Sequence, residues 1–229
     1  KSHWRLRARE SRQQMTMGIP MALQFSITAI GSMVMQSANN GLGSIYVSGF
    51  TAGMRIKQFA MCPFDALANG VSVFCSQNLG AGKIKRIRKG LWQGVGVGFI
   101  YGLLIGLVLI FAGRSLSMLF ISADQTAVLD ASAKYLRCLG FWSLGPLSVF
   151  RMSAQGMGFS GRAIFSGVTE MIARTFVSFA FVGTYGFTAI CFADQTAWVS
   201  ATLYITPVCL MCLRQVTREH ERQQAKIAD

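Results

Sequence analysis

Long apolar runs, separated at wide intervals by short polar turns, set the pattern of this chain. No charged residue falls between Gln13 and Met54, and none falls between Lys89 and Arg114. An uninterrupted run of about 20 residues matches the ~30 Å hydrocarbon core of a bilayer. Hydropathy, with allowance for a few charges, predicts six helices at about 17–38, 46–80, 90–113, 127–153, 160–183 and 187–213. The second is long for a simple span, and Pro63 is expected to bend it by removing a backbone donor. Pro146 and Pro207 also fall inside predicted helices, and Pro20 opens the first. Such bends suit helices that open and close a cavity, and they occur in static bundles too. The predicted class is all-α: a six-helix transmembrane bundle over 17–213, after a basic segment 1–16 and before a tail 214–229.

The charges of the turns test this division. The first segment carries Lys1, Arg5, Arg7, Arg9 and Arg12, and the first linker carries none. The second linker has Lys83, Lys85, Arg86, Arg88 and Lys89, whereas the third, with Arg114, Asp124 and Asp130, is net negative. The fourth is assigned Arg151 and Arg162, the fifth has no charge, and the tail has Arg214, Arg218, Arg222 and Lys226. Basic and non-basic linkers alternate, which by the positive-inside rule predicts six crossings of the cell membrane with both termini cytoplasmic. The opening "KSHWRLRARESRQQ" is too polar for a signal peptide. Since the chain does not begin with Met, it is expected to be a piece of something longer.

Composition narrows the function classes. The chain is 52% hydrophobic and 14% charged, with mean hydropathy +0.42, whereas ordinary globular domains run nearer a quarter charged. The net charge of +13 sits in the tails and one linker without aromatic-basic interleaving, so anionic lipid is the expected partner and nucleic acid is not. Cys209 and Cys212 form a C-x-x-C in "VCLMCLR", with no second pair, and His3 and His220 lie in the polar tails. This pattern predicts no metal site, no catalytic triad and no enzyme.

Polar groups inside the spans are the candidate site, because charge in the bilayer core is costly. Glu170 and Arg174, in "TEMIARTF", are spaced for an i,i+4 ion pair that either fixes packing or couples transport. The second helix carries Arg55, Lys57 and Asp65. Two helical turns, roughly 12 Å of rise, strain a direct Lys57–Asp65 pair. Asp65 is therefore expected to face another helix or a wet cavity, as a cation or proton site or as a cap near Pro63. Asp194, early in the sixth helix, is expected to be solvated. In the first helix Gln24, Thr28, Gly31, Met35 and Asn39 form one polar and small stripe, for helix contact or for lining a pathway.

Together "MGIPMALQFSITAIGS", "CPFDALANGVSVFCSQNLGAG", "QGMGFS" and "EMIARTF" resemble the multidrug and toxic compound extrusion (MATE) family, from about Met17 to Arg214. Family members have two six-helix lobes, and this chain looks like the second, C-terminal lobe preceded by the joining segment. The resemblance implies efflux of organic, often cationic, compounds in exchange for Na⁺ or H⁺, with no other cofactor. It also implies a partner: the N-terminal lobe, or a second copy. Thr28 stands near the place where some members carry an acid, and "GFWSLGPLSVF" lacks the acid that some place in the fourth helix. Coupling then falls to the other lobe or to Asp65. Two alternatives stay open. One is a lipid-linked oligosaccharide flippase, which should line its cavity with more cations than the sequence reveals. The other is a non-transporting membrane assembly subunit whose embedded charges only fix packing.

Overall fold

The computed structural model describes residues 8–141 and 147–228. Among the described residues, seven helical stretches follow one another: α1 (Ala8–Asn40), α2 (Ser44–Gly80), α3 (Ile84–Ser117), α4 (Thr126–Phe141), α5 (Leu147–Gly156), α6 (Ser160–Tyr185) and α7 (Phe187–Ala228). No strand occurs among the described residues. Five of the helices, α1, α2, α3, α6 and α7, are long and apolar enough to cross a membrane.

Over the predicted fourth span, 127–153, the structure describes two helical stretches, α4 of 16 residues and α5 of 10, on either side of residues 142–146. Pro146, expected inside a helix, lies outside the described residues. Two boundaries move. Pro20 sits well inside α1 instead of opening it, and α7 runs on through Pro207 to Ala228. Both helices extend beyond the apolar run that hydropathy detects.

The turns are tight where glycine permits. Gly43, Gly82, Gly158 and Gly186 have positive φ and lie at the α1–α2, α2–α3, α5–α6 and α6–α7 junctions, a conformation that costs a residue with a Cβ about 1–2 kcal/mol.

Two apolar cores stack along the bundle. One gathers Cys75, Ile87, Leu91, Phe150, Ile205 and Cys209 toward the α2–α3 turn. The other gathers Met35, Phe50, Leu109, Tyr135, Leu136 and Ile190 toward the opposite end. Around them α3 and α6 present large bare apolar side chains, among them Ile100, Leu104, Phe111, Ile172, Phe176 and Phe179. A soluble protein rarely exposes so broad an apolar surface, and lipid is the solvent that accepts it.

Candidate functional site

Between the two cores, the helices bring charged side chains to one level of the bundle. Asp194 on α7 is fully buried and receives three hydrogen bonds. Its Oδ2 accepts from Lys57 Nζ of α2 at 2.6 Å and from Tyr135 Oη of α4 at 2.7 Å. Its Oδ1 accepts from Arg174 Nε of α6 at 2.9 Å. Glu170, one turn before Arg174, pairs with Arg151 Nη2 of α5. Arg151 Nε also donates to Ser166 Oγ at 3.0 Å. The result is an alternating chain, Arg151–Glu170–Arg174–Asp194–Lys57, that crosses four helices.

Burial explains why the chain holds together. The side chains of Glu170 and Asp194 are 2% and 0% exposed, against 11% for Arg151 and 12% for Lys57. In so dry a place a carboxylate without a charged donor would cost several kcal/mol. Each acid instead has two cations, and the charge-assisted hydrogen bonds are roughly twice as strong as neutral ones. Lys57 also stands 5.7 Å over the Trp198 ring, within cation–π range.

This chain forms one wall of a cavity of about 210 Å³, where Lys57, Arg151, Glu170 and Arg174 meet Thr28, Phe64, Asp65 and Trp198. Both buried acids are already paired with two cations each. Asp65 differs: its side chain is exposed on the cavity, and no hydrogen bond to its carboxylate is recorded among the described residues. The backbone carbonyl of Asp65 accepts from Asn69 Nδ2 at 2.8 Å. On α2, Gln58, Cys62, Asp65 and Asn69 fall on one exposed face, with the i, i+4, i+7, i+11 spacing of a helical stripe.

The residues singled out from sequence therefore part company. Asp65 and Thr28 line the cavity. Gln24, Gly31, Met35 and Asn39 are buried, and Gly31 and Gly167 mark close contact between α1 and α6. Gln24 Oε1 accepts from Gln155 Nε2 at 2.6 Å. Glu170 and Arg174 do share a helix face, but at 3.7 Å, and each has a closer partner on another helix.

Two expectations are corrected. Asp194 is not solvated; it is the most heavily bonded acid of the network. Arg151 is not a linker cation; it lies inside α5 and is buried, because an apolar run read as ending near residue 153 put it at the edge. Tyr135 and Trp198 were not anticipated at all. The signal available was two acids and three cations inside apolar runs, with no hint of which would meet.

Comparison with known proteins agrees with this architecture. The MatE family model matches residues 20–177. A probable multidrug resistance protein of Bacillus subtilis, YoeA, is 23% identical over 158 residues, covering 69% of this chain and 33% of its own length. Among solved structures, an outward-facing multidrug resistance MATE family transporter of the MOP superfamily aligns with TM-score 0.78 at 17% identity. It covers 84% of this chain and 43% of its own. A MOP superfamily transporter from Pyrococcus furiosus, described as having a binding pocket of reverse polarity that suggests a different function, aligns with TM-score 0.77 at 17% identity and the same coverage. The chain thus spans from a third to somewhat over two-fifths of these relatives, roughly one lobe of a two-lobe transporter. With more than half of its residues matched by the family model, the chain belongs to the MatE family, that of the MATE transporters.

Proposed function

We propose that this chain is the C-terminal lobe of a secondary active exporter of organic compounds. It would work by alternating access, driven by exchange for Na⁺ or H⁺ across the cell membrane, with both termini in the cytoplasm. Asp65 carries the reading. It is an exposed carboxylate at bilayer depth, on a polar stripe of α2, opening onto a charged cavity. Charge is tolerated at that depth where it faces a wet pathway or another protein wall. Asp65 is the acid here that a proton, Na⁺ or an organic cation could reach without breaking an existing ion pair. The opposite wall would come from the N-terminal lobe or a second copy.

The test uses the complete polypeptide in everted vesicles, with a fluorescent organic cation as cargo and Na⁺ or H⁺ gradients imposed separately. One gradient is expected to drive uptake into the vesicles. Asp65→Asn should abolish that uptake while leaving the amount of protein in the membrane unchanged. Undiminished uptake by Asp65→Asn would remove Asp65 from coupling.

A second reading has its own observation. Lys57, Arg151 and Arg174 all line the cavity, more cations than the sequence suggested, as a flippase for an anionic lipid-linked oligosaccharide would need. Translocation of such a substrate, with no response to the organic cation, would favour it.

A further inference from the structure

At the end of the bundle that carries the α2–α3 turn, two sequence-distant elements build one basic groove. A cavity of about 660 Å³ lies between Lys83–Arg88 and the far part of α7. A second, of about 460 Å³, continues it along α3 and α7. Arg88, Leu213 and Thr217 line both, so the two are parts of one groove. Its cations are Lys83, Lys85, Arg86 and Arg88 from one side and Arg214 and Arg218 from the other. None of the six has an ion pair among the described residues, although Glu221 stands at the groove. That is unlike Lys57, Arg151 and Arg174, each neutralised at a short distance.

The floor is apolar. Leu213 is buried beneath the cations, and the half-exposed Trp92 lies one helical turn beyond Arg88. Tryptophan at the end of an apolar span marks the headgroup level. Both walls change character at this height. On α3 the basic run gives way to the uncharged stretch 90–113, and on α7 the apolar run ends at Arg214. A ligand here meets cations above and hydrocarbon below. That combination rejects a purely soluble anion, which gains nothing from the floor, and rejects a neutral lipid, which gains nothing from the cations.

We infer that this groove is a binding site for the headgroup of an anionic phospholipid, with its acyl chains running down the apolar faces of α3 and α7. The proposal is independent of what the protein transports. One ligand spanning both walls also ties the α2–α3 turn to α7, so it stabilises the folded lobe by mass action.

The test is thermal unfolding of the complete protein in a neutral detergent. Phosphatidylglycerol, phosphatidylcholine or soluble glycerol 3-phosphate is added in turn. Phosphatidylglycerol is expected to raise the midpoint by on the order of 2 °C, and the other two should leave it in place. The paired change Arg88→Gln and Arg218→Gln should remove most of that rise, while Arg137→Gln, an exposed cation of α4, should keep it. An equal rise with glycerol 3-phosphate would make this a free-phosphate site and overturn the lipid assignment. No rise with phosphatidylglycerol, or a rise that survives the paired change, would overturn the groove itself.

Discussion

Asp194 joins three other helices through single hydrogen bonds to Lys57, Tyr135 and Arg174, so its charge matters more than its size. Asp194→Asn keeps the shape and leaves Lys57 facing an amide in a dry place. Breaking a buried pair on one side costs about 3–5 kcal/mol, and the unfolding midpoint in detergent should fall accordingly. Adding Lys57→Met removes the stranded cation and should recover part of the loss. An Asp194→Asn midpoint equal to that of the parent would mean that the network adds nothing to stability. Which residues were charged was legible in the sequence; their partners were not. Helical spacing tells which side chains share a face of their own helix, hence the expected Glu170–Arg174 pair. It is silent on Lys57 and Asp194, which lie 137 positions apart. Averaging hydropathy over a window likewise places Asp194 near the start of a span and hides its burial.

Helices pack here through missing side chains as much as through present ones. Along α3 the buried positions include Gly94, Gly98, Gly102 and Gly106, four residues apart, so one face of the helix is almost bare backbone. Small residues let membrane helices approach closely where lipid offers no hydrophobic drive for association. At Gly140 of α4, a Cβ would lie 2.6 Å from the carbonyl oxygen of Gly106. Gly140→Leu should force α3 and α4 apart and lower stability by about 1–3 kcal/mol or more. Gly96, on the partner helix α3, is the control, since a Cβ there meets nothing within 4 Å. Gly96→Ala should leave the unfolding midpoint unchanged or raise it by up to ~1 kcal/mol through helix propensity. If both variants unfold like the parent, close contact at Gly140 is not needed. The long helices were readable from apolar run length alone, because length against bilayer thickness is a one-dimensional property. The reach of α1 and α7 beyond their apolar runs was not, since a polar helical stretch leaves no mark in hydropathy. The α3 glycine face also lay in plain sight; its four-residue period is a packing signal that hydropathy ignores.

The whole bundle has two kinds of outer surface. On α3 and α6 it is a belt of Ile, Leu and Phe side chains suited to acyl chains. On α2 the exposed face bears Gln58, Cys62, Asp65 and Asn69, and hydrocarbon would penalise all but Cys62. A chain that shows a polar stripe at bilayer depth needs water or protein against it. Relatives about twice its length leave room for a second lobe in that place. Secondary transporters set their sites between two such repeats and rock one against the other. Expressed alone, the 229-residue chain should therefore enter the membrane, since its belt and buried network are complete within the lobe, yet drive no export under any gradient. The complete polypeptide should export from the same vesicles. Cross-linking through a cysteine at Asn69, in a background lacking the native cysteines, separates the remaining outcomes. Export by the short chain together with a cross-linked pair would make the opposite wall a second copy. Export by the short chain with no cross-linked pair at any concentration would mean that this chain suffices alone, and the two-lobe reading of the polar stripe would fall.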